Sequence, residues 1–403
     1  MYDVIVVGAG PAGSTAAALM ARNGQRVLLV DKEHFPRDKV CGDAVSGKSL
    51  RILDRLGVTG RLIESDAVQS WGVTFSAPSG DEVSIPFSPQ SDAPGFVCRR
   101  AVFDNLVFDA AQSAGAEIWQ GSEVKGLLRD GDFVTGVNVA RPDGQVVDVR
   151  APLVVGADGA YPVVARELGV SKLDHKHYVG AIRAYYEGVQ GFNSGNYLEI
   201  HFVDEVIPGY FWIFPLPGGG ANIGLGMLSE VIRKKRIRLK ELLDQVVAHP
   251  RFAWRFDGAE RIGKVRGWGL PLGSRPREMT GNGWMLLGDA ASLIDPFSGE
   301  GIGNAVLSAS LAANWSATAQ KAGDFSQSML SGYQSELLGL LRDELRVSYR
   351  MQQIGRWKWL LSFVIRKASR SKDLADAISC MFDDIGERGK LASPLFYLRV
   401  LAA

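Results

Sequence analysis

The 403-residue sequence is 46% hydrophobic and 22% charged, proportions ordinary for a globular chain in water. Its formal net charge of +1 offers no global attraction to nucleic acid, so any basic surface must be local. The length exceeds one simple core and predicts two connected domains. Three cysteines, Cys41, Cys98 and Cys380, show neither paired nor metal-ligand spacing. An apolar run begins directly after Met1, so we expect no secretory leader and a reducing, cytoplasmic setting. No apolar run reaches the roughly 18 residues of a spanning helix.

In chain order, the run Val4 to Val7 predicts a strand covered on both faces. Gly8, Gly10 and Gly13, with Pro11 and Ala12 between them, then form G-x-G-x-x-G at a strand-to-helix turn. The first glycine permits the turn, the second admits a pyrophosphate, and the third lets helix and strand close together. The helix N-terminus supplies free N–H groups and a positive dipole end. "RVLLV" returns as a second strand ending at Asp31 and Lys32, with Asp31 placed to accept from an adenosine ribose. NAD and FAD both suit this unit.

"PRDKVCGDAVSGKS" follows, placing a thiol and an acid among small residues. "SWGVTFSAP" and "DEVSIPF" predict strands of a separate antiparallel sheet, and Arg100 begins an amphipathic helix carrying Phe103, Leu106 and Val107 on one face. "APLVVGADGA" is another buried strand with a tight turn at Asp158 and Gly159. Strand signals then run through "VGAIRAYYEGV", "NYLEIHFV" and "GYFWIFPLPGGGANIGLGML". Tyr210, Trp212 and Phe214 alternate, so they share one face, either as core packing or as the wall of an apolar slot. "VIRKKRIRLK" is a basic stretch best read as a solvated helix face. "GWMLLGDAASLIDPFSGEGIGNAVLSAS" gives a third strand, an acidic turn, a glycine loop and a long helix. Three such returns to strand ends predict one large cofactor site, more than a single NAD unit requires.

These motifs together resemble the FAD-dependent oxidoreductases related to p-hydroxybenzoate hydroxylase, and within them the geranylgeranyl reductase family. The resemblance implies a Rossmann-like α/β FAD-binding domain (1–70, 98–175 and 275–330). Interleaved with it would be a mainly antiparallel substrate domain (71–97 and 176–274), followed by a helical C-terminal region (331–403). It implies FAD contacts from the first glycine turn, Asp31, Lys32, Cys41, Gly42, Arg100, Asp158 and Gly159. The third motif would add Gly288, Asp289, Pro296, Gly299, Gly301, Ile302 and Gly303. The aromatic strand is similar to the family's P-x-x-Y-x-W-x-F-P pattern with N-(V/I)-G-x-G after it. That would put Tyr210, Trp212, Phe214 and Pro215 at the substrate, facing Gly42 and Asp43.

The cysteine stretch is similar to one in reductases of geranylgeranyl and menaquinone tails. It implies that Cys41 lies beside the flavin as a proton-path or orienting residue, with Tyr210 as a second candidate; the bland alternative for Cys41 is a small buried hydrophobe. Arg37 and Lys39 are the nearest cations in sequence. Cys98 and Cys380 are expected to be structural. The implied reaction is reduction of isolated C=C bonds in a polyprenyl lipid, with electrons from NAD(P)H or a reduced ferredoxin. "GYFWIFP" also approaches a halogenase signature, which keeps a flavin monooxygenase or halogenase in view, as the aromatics alone keep a non-catalytic lipid-binding flavoprotein. The segment "GRWKWLLSFVIRKASR" suits either a lipid interface, making the protein peripheral on the inner face of the cell membrane, or a cap on the substrate domain.

Overall fold

The computed structural model describes residues 1–87 and 94–371, with Leu374; Cys380 lies outside them. Val4–Val7, Val27–Val30 and Leu153–Gly156 are strands in which every residue is buried. They pair in parallel at the centre of a six-stranded sheet, with Glu117–Trp119 at one edge and Trp284–Leu286 and Thr280–Gly281 at the other. Only the last pairing is antiparallel. Helices Pro11–Arg22 and Ile302–Ala322 pack against each other through alanines, including Ala16, Ala17, Ala309 and Ala312, whose small side chains allow close approach.

A seven-stranded sheet forms the second layer system, in the order Glu260–Pro271, Tyr178–Glu187, Gly220–Leu228, Gly209–Leu216, Leu198–His201, Gly72–Ser76 and Glu82–Pro86. All its pairings are antiparallel except Leu198–His201 with Gly72–Ser76. The chain therefore enters this sheet twice, from 72–86 and again after 178. A small sheet of Ala44–Val45, Gly95–Val97 and Val68–Ser70 joins the two systems. One unit escaped the sequence reading: Glu123–Asp130, Phe133–Ala140 and Val146–Arg150 form an antiparallel meander. Its hairpins turn at Gly131 and Gly144, both at positive φ, and "DGD" and "PDG" were the available signals.

Three helices finish the described chain: Ile302–Ala322, Gln327–Ile354 and Lys358–Ala368. A buried cation ties the second of them to the rest. Lys48 Nζ donates to Asn304 Oδ1 at 2.6 Å and pairs with the Glu344 carboxylate at 3.3 Å. Among the described residues no helix is long and apolar enough to cross a membrane.

Candidate active site

One cavity opens between the two sheets, lined by all three glycine-bearing turns and by the aromatic strand. Gly10, Pro11 and Ala12 line it from the first turn, and Gly159 from the second. Asp289, Gly299, Gly301 and Ile302 line it from the third. The first turn leaves no room for side chains: a Cβ on Gly13 would sit 1.7 Å from the Gly8 carbonyl oxygen, and Gly8 itself has φ +96°. Gly13→Ala is therefore expected to yield protein that purifies without FAD, read from the visible absorbance of the purified protein.

Asp31 holds this turn from behind. Its Oδ2 accepts from Ala9 N–H at 2.6 Å and its Oδ1 from Glu33 N–H at 2.8 Å. Lys32 is exposed and does not line the cavity. Asp158 Oδ2 accepts from the N–H groups of Val163 and Val164, at 2.6 and 3.1 Å, fixing the second turn to the short helix Val163–Glu167. Burial pushes the Asp158 pKa up to about 6. Gly288 lies beneath the cavity against Ala305 and Ala12, and Gly303 N–H donates to the Glu300 carboxylate.

The pocket fits the FAD that its motifs imply. Helix Pro11–Arg22 has no side-chain cap, so its first-turn N–H groups remain to meet an anionic diphosphate beside the small residues Gly10 and Ala12. When bound there, reduced FAD supplies a hydride equivalent. Asp289 also faces the cavity, paired with Lys39 Nζ at 3.2 Å.

Cys41 lies on the cavity wall, half-buried, and the cation beside it is neither of its sequence neighbours. Arg37 pairs with Asp104 at 2.7 Å and Lys39 with Asp289. Arg100 lines the cavity with Cys41 and is the cation whose charge acts on that side chain. It is buried and clamped by Asp104 through two bonds of 2.5 and 2.8 Å. Burial opposes the Arg100 charge, but Asp104 and Cys41 together hold its pKa above the usual guanidinium value.

The aromatic strand Gly209–Leu216 faces this loop. Tyr210, Trp212 and Phe214 line the cavity, with ring centroids 6.3 Å apart for the first pair and 6.2 Å for the second. A Cβ on Gly42 would lie 2.9 Å from Phe214 Cε2, so the cysteine loop rests on that ring. The neighbouring strand makes room for Trp212: Gly224 is its register partner, and a Cβ there would fall 2.2 Å from the indole. Pro215 is on the opposite face and does not line the cavity. Tyr210 donates its hydroxyl hydrogen to the Ser298 carbonyl at 2.8 Å, and burial raises its pKa above the ordinary phenol value. The phenol is neutral and holds the glycine loop. Pro296 lines a second cavity, which continues past Tyr210 and Trp212.

The residue that unites these parts is Asn222, the asparagine of the N-(V/I)-G-x-G pattern, to which the sequence reading gave no role. Its Oδ1 accepts from Trp212 Nε1 at 2.9 Å, and its amide donates to the Cys41 carbonyl at 2.8 Å and to Asp43 Oδ2 at 2.7 Å. Asp43 is fully buried at φ +67° and also accepts from the Tyr185 hydroxyl at 2.8 Å. Burial pushes its pKa up to about 6, against the hydrogen bonds from Tyr185 and Asn222 and the charges of Arg183 and Arg100. Because the folded value exceeds the unfolded one, its contribution to stability is greatest below about pH 4 and is lost as pH rises through about 6. Wild type should therefore lose stability relative to Asp43→Asn over that interval, and the difference should level off above it. Urea midpoints measured against pH check this, with the similarly raised Asp158 common to both proteins.

Comparison with known proteins fits this geometry. Residues 1–190 match an FAD binding domain and residues 180–257 match a geranylgeranyl reductase catalytic domain. The menaquinone reductase of Mycobacterium tuberculosis is 36% identical over 304 residues, 74% of this chain and 72% of that protein. The chain belongs to the geranylgeranyl reductase family. It is an FAD-dependent oxidoreductase.

The digeranylgeranylglycerophospholipid reductase of Methanosarcina mazei is 34% identical to this reductase over 327 residues, covering 81% of the chain and 77% of its relative. A geranylgeranyl bacteriochlorophyll reductase-like protein of Thermoplasma acidophilum superposes on the whole chain and 96% of its own, with TM-score 0.83 at 25% identity. A flavin-dependent brominase shares the fold at TM-score 0.80 and 23% identity, covering all of this chain and 98% of its own.

Proposed function

We propose that the reductase saturates isolated C=C bonds in a polyprenyl chain carried by a membrane lipid, a quinone or a glycerophospholipid of the kind its relatives are named for. The observation that supports this most directly is the junction of the cysteine loop with the aromatic wall, where Asn222 bonds both Cys41 and Trp212. Trp212, Phe214, Leu198, Ile200 and Leu270 give the cavity an apolar side that would hold a prenyl tail and exclude water. At about 0.8 kcal/mol per buried methylene, a C20 chain gains on the order of ten kcal/mol from leaving water.

An isolated alkene has no carbonyl to hold negative charge, so hydride delivery to one carbon must accompany protonation of the other. In this reading Cys41, on the cavity wall with Arg100 beside it, is the group that delivers that proton. Tyr210, whose hydrogen is committed to Ser298, positions the glycine loop. Electrons would come from NAD(P)H or a reduced ferredoxin, and anaerobic bleaching of the flavin by each in turn distinguishes them. Lipids of this class reside in bilayers, so the reaction would take place at a membrane surface, the inner face of the cell membrane in this reading.

The test is an anaerobic incubation of the reduced flavoprotein with geranylgeranyl glycerophospholipid and with menaquinone, followed by mass spectrometry. Gain of two hydrogens per bond is expected. Oxygen incorporation in air, or a requirement for halide, would replace this reading with an oxygen-activating one.

A further inference from the structure

The segment after the long helix has two apolar faces. Leu361, Ile365 and Ala368 of helix Lys358–Ala368 are buried against Val73, Phe75 and Ile85 of the substrate sheet, so this helix caps that sheet. Yet Trp357 is 61% exposed, Trp359 67% and Phe363 39%, with Ile354 beside them at 38%. Residues 355–371 contain Arg356, Lys358, Arg366, Lys367 and Arg370 and no carboxylate. Two of these cations reach across to Asp204 and Asp81, at 2.9 and 2.8 Å, in exposed pairs of little energetic weight. Aromatics and cations together at one surface match the headgroup region of an anionic bilayer.

The second cavity gives this patch a connection to the chemistry. Ala181, Tyr210, Trp212, Leu270 and Gly299 line both cavities. From that shared wall the second cavity continues past Phe202 and Phe297 to Gln352 and Gly355. Gly355 adjoins Ile354 in sequence and is two residues from Trp357. Its lining is apolar apart from a few groups, among them Gln352, whose amide donates to the Pro296 carbonyl at 2.7 Å. The two cavities thus adjoin at that wall, and the second reaches Gly355, at the foot of the exposed aromatic patch.

We propose that Trp357, Trp359 and Phe363 dock the protein on an anionic bilayer, so that a prenyl tail passes from the lipid to the active site beside Gly355 without crossing water. This rests on the reductase reading for the identity of the cargo, but not for the docking itself. Aromatic side chains enter the acyl boundary, and the cations draw the surface toward acidic headgroups at roughly tenfold affinity for every one or two that engage.

The test uses full-length FAD-loaded protein and flotation with phosphatidylcholine vesicles, with and without phosphatidylglycerol. Wild type is expected to float with the anionic vesicles and at least about tenfold less with the neutral ones. A Trp357→Ser/Trp359→Ser/Phe363→Ser variant should lose vesicle binding while keeping its flavin and melting temperature, since all three side chains are exposed. Lys367→Glu with Arg370→Glu should abolish the preference for anionic lipid. The triple variant should also keep wild-type turnover of a detergent-dispersed polyprenyl substrate and lose it when that substrate is embedded in vesicles. Equal vesicle binding by wild type and triple variant would overturn the proposal. So would a dimer that the same substitutions dissolve without any vesicle binding, since the face would then belong to a second copy. Vesicle binding in a protein that reduces no prenyl chain in either format would leave docking standing and overturn the reductase reading.

Discussion

Cys41→Ser is expected to lower alkene reduction by roughly a hundredfold or more while FAD remains bound, the range lost when a positioned proton donor is removed. Serine preserves the size of the loop, so Gly42 should still rest on Phe214 and the Cys41 carbonyl should still accept from Asn222. What changes is the acid: a hydroxyl is far weaker than a thiol, and its shorter bond draws it back from the cavity. Single-turnover oxidation of reduced flavin by substrate reads the step without product release. Full turnover by a properly loaded Cys41→Ser protein would return this residue to packing alone. Arg100 offers no simple control, because removing it would leave Asp104 buried with only Arg37 at hydrogen-bonding distance.

The second large effect is expected at Asn222. Asn222→Leu removes three hydrogen bonds at once: those to the Trp212 indole N–H, the Cys41 carbonyl and Asp43 Oδ2. Each unsatisfied partner costs about 1–3 kcal/mol, and Asp43 Oδ2 keeps the Tyr185 hydroxyl, so a loss of at least about 2 kcal/mol of folding stability is expected. Catalysis should suffer beyond that loss. With the tether gone, the cysteine loop and the aromatic wall need no longer keep a fixed separation, and misplaced reacting groups are costly. The measurement pairs urea unfolding with kcat on protein that retains flavin at low temperature; unchanged stability and unchanged kcat would remove Asn222 from its central position.

The sequence carried the nucleotide half of this molecule plainly because its constraints are local. A glycine that would clash with the carbonyl of the turn before it, as Gly13 would with Gly8, is forced by neighbours a few residues away. The aromatic face was legible for the same reason, since alternation along one strand orders Tyr210, Trp212 and Phe214 without knowledge of other strands. Partners separated by long stretches of chain were not legible. Lys39 stands two residues from Cys41 but reaches Asp289, while Arg100, far along the chain, lines the cavity with the thiol. Asn222 stood in a recognised pattern, yet two of its three partners, Cys41 and Asp43, lie 181 and 179 residues away in sequence. Asp31 reads in the sequence as a ribose acceptor alone, and its carboxylate also holds the glycine turn through two backbone N–H groups. The C-terminal segment presented two readings as alternatives, cap or lipid contact; the helix has a buried face for one and an exposed face for the other.

The order of strands in the parallel sheet bears on how such a protein can be made. Trp284–Leu286 completes that sheet against Leu153–Gly156, and the glycine loop at 299–303 follows only afterwards. A ribosome that has released the first 190 residues has produced the whole dinucleotide motif but not the far wall of its pocket. Flavin capture must therefore wait until the chain has grown past residue 303, and a fragment ending at residue 190 should emerge colourless. Any insertion into the intervening seven-stranded sheet lengthens that delay, so the length of that sheet bears on how soon the nascent chain acquires its colour.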